Sequence, residues 1–309
     1  MNAQSIASRA RQISRRARSR LMRGSPDQAD YRTKRPPWGE PDRVRAFSQA
    51  PADESFITGN GIAARCRYVL NYDDLVVNER GQEDWWFCKA DYLDFFFAEY
   101  APTAPFVLFT HNSDRPIDRQ YRRELGKAWL RYWFAQNPVF RHPKLRALPI
   151  GIANPVWEHG DQSALKHVQH SRPGKSVLFD VSFNPDTNRE QRERCLSATG
   201  LELAPRLPYE AYLERLASSY FCISPNGNGI DCVRTWEALY VGTIPVVTRS
   251  LITEQHSDLP MVVIDDWSEF ARIDFSPSLY TRLWGDWKPD EIRLDRYFER
   301  IEQTIAGAR

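Results

Sequence analysis

From Phe56 onward, short apolar runs alternate with stretches whose apolar residues recur at helical spacing. The runs at 68–70, 106–110, 148–152, 177–183, 220–224, 244–248 and 261–264 have the length and the β-branched or aromatic content of buried strands. Helices are predicted over 91–100, 119–133, 189–198, 209–218, 230–241 and 291–306. Strand and helix alternate, which is the pattern of an α/β fold with crossover connections. The stretch 157–175 is polar and ends in Arg172-Pro173-Gly174, so it divides the chain into two α/β halves, 51–165 and 166–290. Its His159, His167 and His170 follow no ligand pattern and read as solvated loop residues. Pro26, Pro36, Pro37, Pro41 and Pro51 punctuate a polar connector, which with the residues before it forms an arm over 1–50.

Length and composition fit that picture. A chain of 309 residues with 42% hydrophobic content can build real cores and is not disordered throughout. Ten Trp, thirteen Tyr and sixteen Phe suit stacking on sugar rings or bases, and suit ordinary core packing equally. The formal net charge of +2 hides an asymmetry. Arg9, Arg11, Arg15, Arg16, Arg18, Arg20 and Arg23 precede the first acidic residue, which leaves the remainder at −5. Such an arm is expected to lie against an anionic membrane surface or another acidic partner. An organelle transit peptide and a solvated tail share its composition. Nucleic acid is not an expected partner, because the body is acidic. No run reaches the roughly 18–20 apolar residues of a membrane span. The five cysteines are odd in number and lack C-x-x-C spacing, so neither a disulfide framework nor structural zinc is expected, and a cytoplasmic setting is the simpler reading.

The chemistry concentrates in 220–250. A short strand, a loop with Asn226, Gly227, Asn228 and Gly229, a helix, Gly242 and a second strand make a βαβ unit. Ligands of such units bind beyond the carboxyl ends of the strands. The two glycines allow close approach or positive φ, the helix amides suit phosphate, and the asparagines add donors. Arg234 offers a cation for a diphosphate, and Glu237, one turn further, a two-oxygen grip on a ribose diol. The same two residues, three apart on a helix, are equally an ion pair. Asp231 then complements the helix dipole, and the loop is only a turn.

The run S-P-N-G-N-G-I-D-C-V-R-T-W-E-A-L-Y-V-G-T-I-P-V-V resembles the donor-binding segment of exostosin-like glycosyltransferases. Weaker similarity covers 177–183, the following N-P-D-T-N-R loop and the F-T-H-N-S-D segment. The resemblance implies a GT-B fold of two Rossmann-like halves facing a cleft, with a last helix over 291–309 crossing back to the first half. It implies that Glu237 contacts the nucleotide ribose and Arg234 the diphosphate. Asn184, Arg189 or Arg192, in the preceding crossover, are further donor contacts in that architecture, unless they only start and flank a capped helix. The expected partners are a nucleotide-sugar donor, which is a substrate rather than a cofactor, and a glycan or lipid-linked glycan acceptor.

In the first half a strand runs into His111 and Asp114, placing either as a general base for an acceptor hydroxyl, or as loop and turn residues. Gln136-Asn137-Pro138 is a weaker cleft loop. Asp73-Asp74 and Asp265-Asp266 are adjacent pairs rather than D-x-D, and no obligatory metal is expected. The competing readings are an NADP-binding oxidoreductase, with Gly227-x-Gly229 as half a fingerprint and Arg249 on a 2′-phosphate, and a non-catalytic protein that retained the fold.

Overall fold

The computed structural model describes residues 55–71 and 75–307, so the arginine arm and Asp73-Asp74 lie outside the described residues. The first sheet contains β1 (Cys66–Leu70), β2 (Val76–Val77), β3 (Gln82–Lys89), β4 (Phe106–His111), β5 (Leu130–Ala135) and β6 (Leu145–Ala147), in the order β2-β1-β3-β4-β5-β6. Only the β1–β2 pair is antiparallel. The second sheet is parallel, with β7 (Val177–Asp180), β8 (Ser219–Ile223), β9 (Ile244–Thr248) and β10 (Val262–Ile264) side by side in chain order. The protein is therefore α/β, with a six-stranded mixed sheet and a four-stranded parallel one.

Strand alternation decides what each face meets. Leu108 of β4, Trp86 of β3 and Trp133 of β5 share a core with the helical turns around Leu93, Phe96, Tyr121 and Leu125. Val107 and Phe109 of β4, with Trp85 and Phe87 of β3, face α1 (Gly59–Ala64) and α8 (Leu294–Ala306) instead. In α8 the buried residues Leu294, Tyr297, Phe298, Ile301 and Ile305 form one stripe, so the last helix of the chain covers the first sheet.

The second sheet is also covered twice. Phe221 and Ile223 of β8, with Ile244 and Val246 of β9, pack toward Cys195 of α3 (Arg189–Thr199) and Leu279 of a helix at Pro277–Trp284. Cys222, on the opposite face, joins a cluster with α2 (Gln162–Ser171), α4 (Tyr209–Ala217) and α5 (Val233–Tyr240). That cluster also contains Phe56, Ala147 and Ile152 from the first half, so the two halves share a core.

Several expectations change. The helix expected over 119–133 stops at Leu125, Gly126 follows, and 130–135 is β5, a strand inserted between β4 and β6. β3 was not expected: its apolar end, Trp85–Cys88, is buried on both faces, which removes the alternation that marks a half-exposed strand. The expected strand at 148–152 lies just earlier, at Leu145–Ala147. The polar stretch 157–175 contains α2, capped by Asp161 and anchored by Ala164, Leu165 and Val168. The expected boundary at 165 therefore falls inside a helix. His159, His167 and His170 are exposed as expected, but His167 and His170 sit on this helix rather than on a loop.

Tyr240 fastens the halves. Its buried hydroxyl accepts from the Ile57 amide at 2.9 Å and donates to the Ile292 carbonyl at 2.8 Å. Tyr240→Phe leaves both backbone groups without this partner, and is expected to cost about 1–3 kcal/mol, measured by urea unfolding.

Candidate functional site

The loops that follow β4, β5 and β6 meet the loop that follows β8. Asn228 donates to Asp114 at 3.3 Å, the Asp231 amide to Asn137 Oδ1 at 3.2 Å, and the Ile150 amide to Asp231 Oδ2 at 2.8 Å. The carboxyl ends of both sheets therefore converge, where α/β proteins place their ligands. Between the β8 loop and β9 lies a cavity of about 10 Å³, room for one water, lined by Ser224, Asn226, Asp231, Thr235 and Thr248.

The β8 loop works differently from its sequence reading. Neither Gly227 nor Gly229 has positive φ; near the site that conformation is taken by Asn112, Asn137 and Asn188, and by Gly151 beside Ile150. A Cβ at Gly229 would stand 2.5 Å from Asn137 Nδ2, so any larger residue there displaces that amide of the opposite half. Two amides expected to face a phosphate are occupied, since Asp231 N–H goes to Asn137 and Cys232 N–H to the Asp231 carboxylate. Asp231 is buried and also accepts from the Trp236 indole at 2.9 Å. Burial pushes its carboxyl up to about 6, against the pull of its N–H donors.

Two arginines converge behind this loop. Arg192 donates through Nε to the Asn226 carbonyl at 3.1 Å and also to the Asn184 carbonyl. Arg234 donates to the carbonyls of Ser182 at 3.1 Å and Pro225 at 3.3 Å. Their guanidinium carbons lie 5.5 Å and 5.3 Å from the centre of one ring, that of Phe183. Among the described residues, neither has a carboxylate within ion-pair distance. Burial and then the charge of Arg234 lower Arg192 from its ordinary value. Asn188 braces the loop by donating to the Gly227 carbonyl at 2.8 Å. Asn184 folds back on the Asp186 amide, and Arg189 pairs with Asp186 at the surface, so neither side chain joins the arginine pair.

Glu237 does not pair with Arg234 as a surface couple. It is 4% exposed, and its two oxygens accept from Tyr209 at 3.0 Å and Tyr212 at 2.9 Å. Burial pushes its carboxyl up to about 7, opposed by these hydroxyls and by Arg234.

On the facing wall, His111 is buried with both nitrogens engaged. Nε2 lies 3.1 Å from the Pro149 carbonyl and must carry the proton, while Nδ1 accepts from the Asn112 amide at 2.7 Å. The ring anchors the loop in this structure, with both nitrogens engaged within it. Asp114 is exposed and faces Asn228 of the other half. Gln136 and Asn137 are buried here, and among the described residues Gln136 Oε1 and Asn137 Nδ2 have no hydrogen-bond partner.

Other expected residues have structural tasks. Arg249 pairs with Asp265, while Asp266 caps a helical turn and pairs with Arg194. Among the described residues, no group of three or more His, Cys, Asp or Glu comes together to hold a metal ion, and no helix is long and apolar enough to cross a membrane. Asn188, read with Thr187 as a candidate cap, occupies the cap position but makes no side-chain cap bond, whereas Phe183, Tyr209 and Tyr212 are not singled out by the sequence. The only signals for them were a strand ending in Phe183-Asn184 and two tyrosines one helical turn apart.

Glu237 has a raised folded value, so its contribution to stability is complete below its ordinary value and is lost as pH rises through the folded one. The window runs from 4.5 to about 7. Relative to Glu237→Gln, which cannot ionise, the wild type is expected to lose up to about 3 kcal/mol across it. Urea unfolding at the two ends of that window measures the difference.

Compared with known protein families and with curated proteins, the chain matches none.

Proposed function

We propose that the chain is an exostosin-like glycosyltransferase with a GT-B arrangement, moving a sugar from a nucleotide-sugar donor to a glycan or other hydroxyl acceptor. The observation that carries this reading is the pair Arg192 and Arg234 on Phe183. Both guanidiniums are held on loop carbonyls around one ring, with no carboxylate among the described residues at ion-pair distance, and an anion reaching them gains charge-assisted hydrogen bonds. Their place at the carboxyl ends of β7 and β8, opposite the loops of the first sheet, suits the diphosphate of a donor.

In this reaction the acceptor oxygen bonds to the anomeric carbon as the bond from that carbon to the phosphate oxygen breaks. The leaving diphosphate gathers negative charge, which the arginine pair stabilises without requiring a metal ion. Asp114, the exposed carboxylate of the facing wall, takes the acceptor proton. Glu237, three residues beyond Arg234 in the chain, meets the nucleotide ribose. In the NADP alternative Arg249 would have to exchange its exposed pair with Asp265 for the 2′-phosphate. The seven-arginine arm, with a charge opposite to that of the body, holds the enzyme at an anionic membrane surface.

Titration calorimetry with UDP and GDP is expected to show binding that weakens about tenfold or more in Arg192→Ala and in Arg234→Ala. Binding of NADP with neither diphosphate bound overturns the reading. Activity abolished by a chelator and restored by manganese overturns its metal independence. Vesicles containing phosphatidylserine are expected to sediment the full chain but not a chain lacking residues 1–23, and equal sedimentation of both excludes the arm as the anchor.

A further inference from the structure

The carboxylate of Glu237 is served by two neutral hydroxyls, one on each oxygen. A vicinal diol meets a carboxylate with the same donor pattern, one hydroxyl to each oxygen. The two tyrosines that supply it are held differently. Tyr212 lies one turn inside α4, next to the fully buried Leu213. Tyr209 is the first residue of that helix and follows the solvent-exposed stretch 205–208, where Pro208 makes no side-chain cap. Their rings are 6.2 Å apart and tilted by 32°, rather than stacked face to face. Both rings are half-buried, and Tyr209, at the helix start, is the donor next to the exposed chain 205–208.

We infer that the Tyr209 hydroxyl stands in for a ribose hydroxyl, holding Oε1 of Glu237 in this conformation and yielding it when a nucleotide ribose arrives. The inference rests on the proposal that a nucleotide binds at this site. Buried Glu237 needs donors on both oxygens, because an unsatisfied buried carboxylate is costly. Tyr209 meets that need; a ligand that brings a hydroxyl to Oε1 displaces it, while one without the diol leaves it in place. A phenol is a stronger donor to a carboxylate than an alcohol, so the exchange is uphill and lowers the apparent affinity for nucleotide. Glu237 therefore supplies the preference for a diol, and Tyr209, competing for Oε1 within the protein, tempers the affinity for ribonucleotides alone.

Calorimetry on the full chain tests this with UDP and GDP beside their 2′,3′-dideoxy counterparts. Tyr209→Phe is expected to bind the ribonucleoside diphosphates about three- to tenfold more tightly than wild type, with dideoxy affinity unchanged. Glu237→Gln is expected to remove the preference for the diol. Equal or weaker ribonucleotide binding by Tyr209→Phe overturns the inference, as does an equal gain for the dideoxy compounds. Binding of neither diphosphate by any of these proteins overturns the nucleotide reading itself, an outcome distinct from the other two. A measurement on wild type covers the case in which Tyr209→Phe does not fold. With tyrosine labelled at the hydroxyl-bearing carbon, one resonance is expected to move on adding the ribonucleotide and to stay in place with the dideoxy form. No such difference overturns the inference.

Discussion

The carboxylate of Asp231 is the contact on which the arrangement of the site depends. It accepts from the Ile150 amide of the first half and from Cys232 and Trp236 of its own. Its own backbone N–H goes across to Asn137. One residue thus fixes the entry to α5 and the distance between the halves. Three N–H groups directed at one carboxylate make a well-furnished polar node, which is where a buried charge is tolerated. Everything downstream follows from that entry angle: Arg234 reaches Ser182 and Pro225, and Glu237 turns inward beneath Tyr209 and Tyr212.

What the sequence reveals is greatest where a local rule and the tertiary setting agree. The unit from β8 through α5 to β9 is legible because a short apolar strand, a loop rich in glycine and asparagine and an amphipathic helix follow in order. It is legible less well at α5's start, because Ile230, Asp231 and Cys232 continue the helical spacing while the chain there is still loop. β5 is hidden for a different reason. The sequence from Arg119 to Trp133 has apolar residues at spacings a helix accepts, and only the partners supplied by β4 and β6 make its second part a strand. α2 is short on apolar residues, and its stability comes from the few that reach the shared core.

The site residues divide along the same line. Arg234 and Arg192 were legible as cations near a helix start, but their common ring was not, since Phe183 lies in another element than either. Glu237 was legible as a carboxylate near the loop, whereas its burial was not. Three apart on a helix, Arg234 and Glu237 look like a surface pair. The tilt of α5 against α4 turns one toward loop carbonyls and the other toward tyrosines. His111 illustrates the converse. A histidine at the carboxyl end of a buried strand has the position of a catalytic group, but two neighbouring backbone groups claim both of its nitrogens.

The last helix has a consequence for how the chain is made. During synthesis the six-stranded sheet emerges first, yet the face carrying Trp85, Phe87, Val107 and Phe109 is roofed by residues 294–306. Until those residues leave the ribosome, that aromatic face is open to water and to other nascent chains, while the second sheet forms beside it. The first half is thus translated early but completed late. A chain truncated before α8 lacks this cover over its aromatic face.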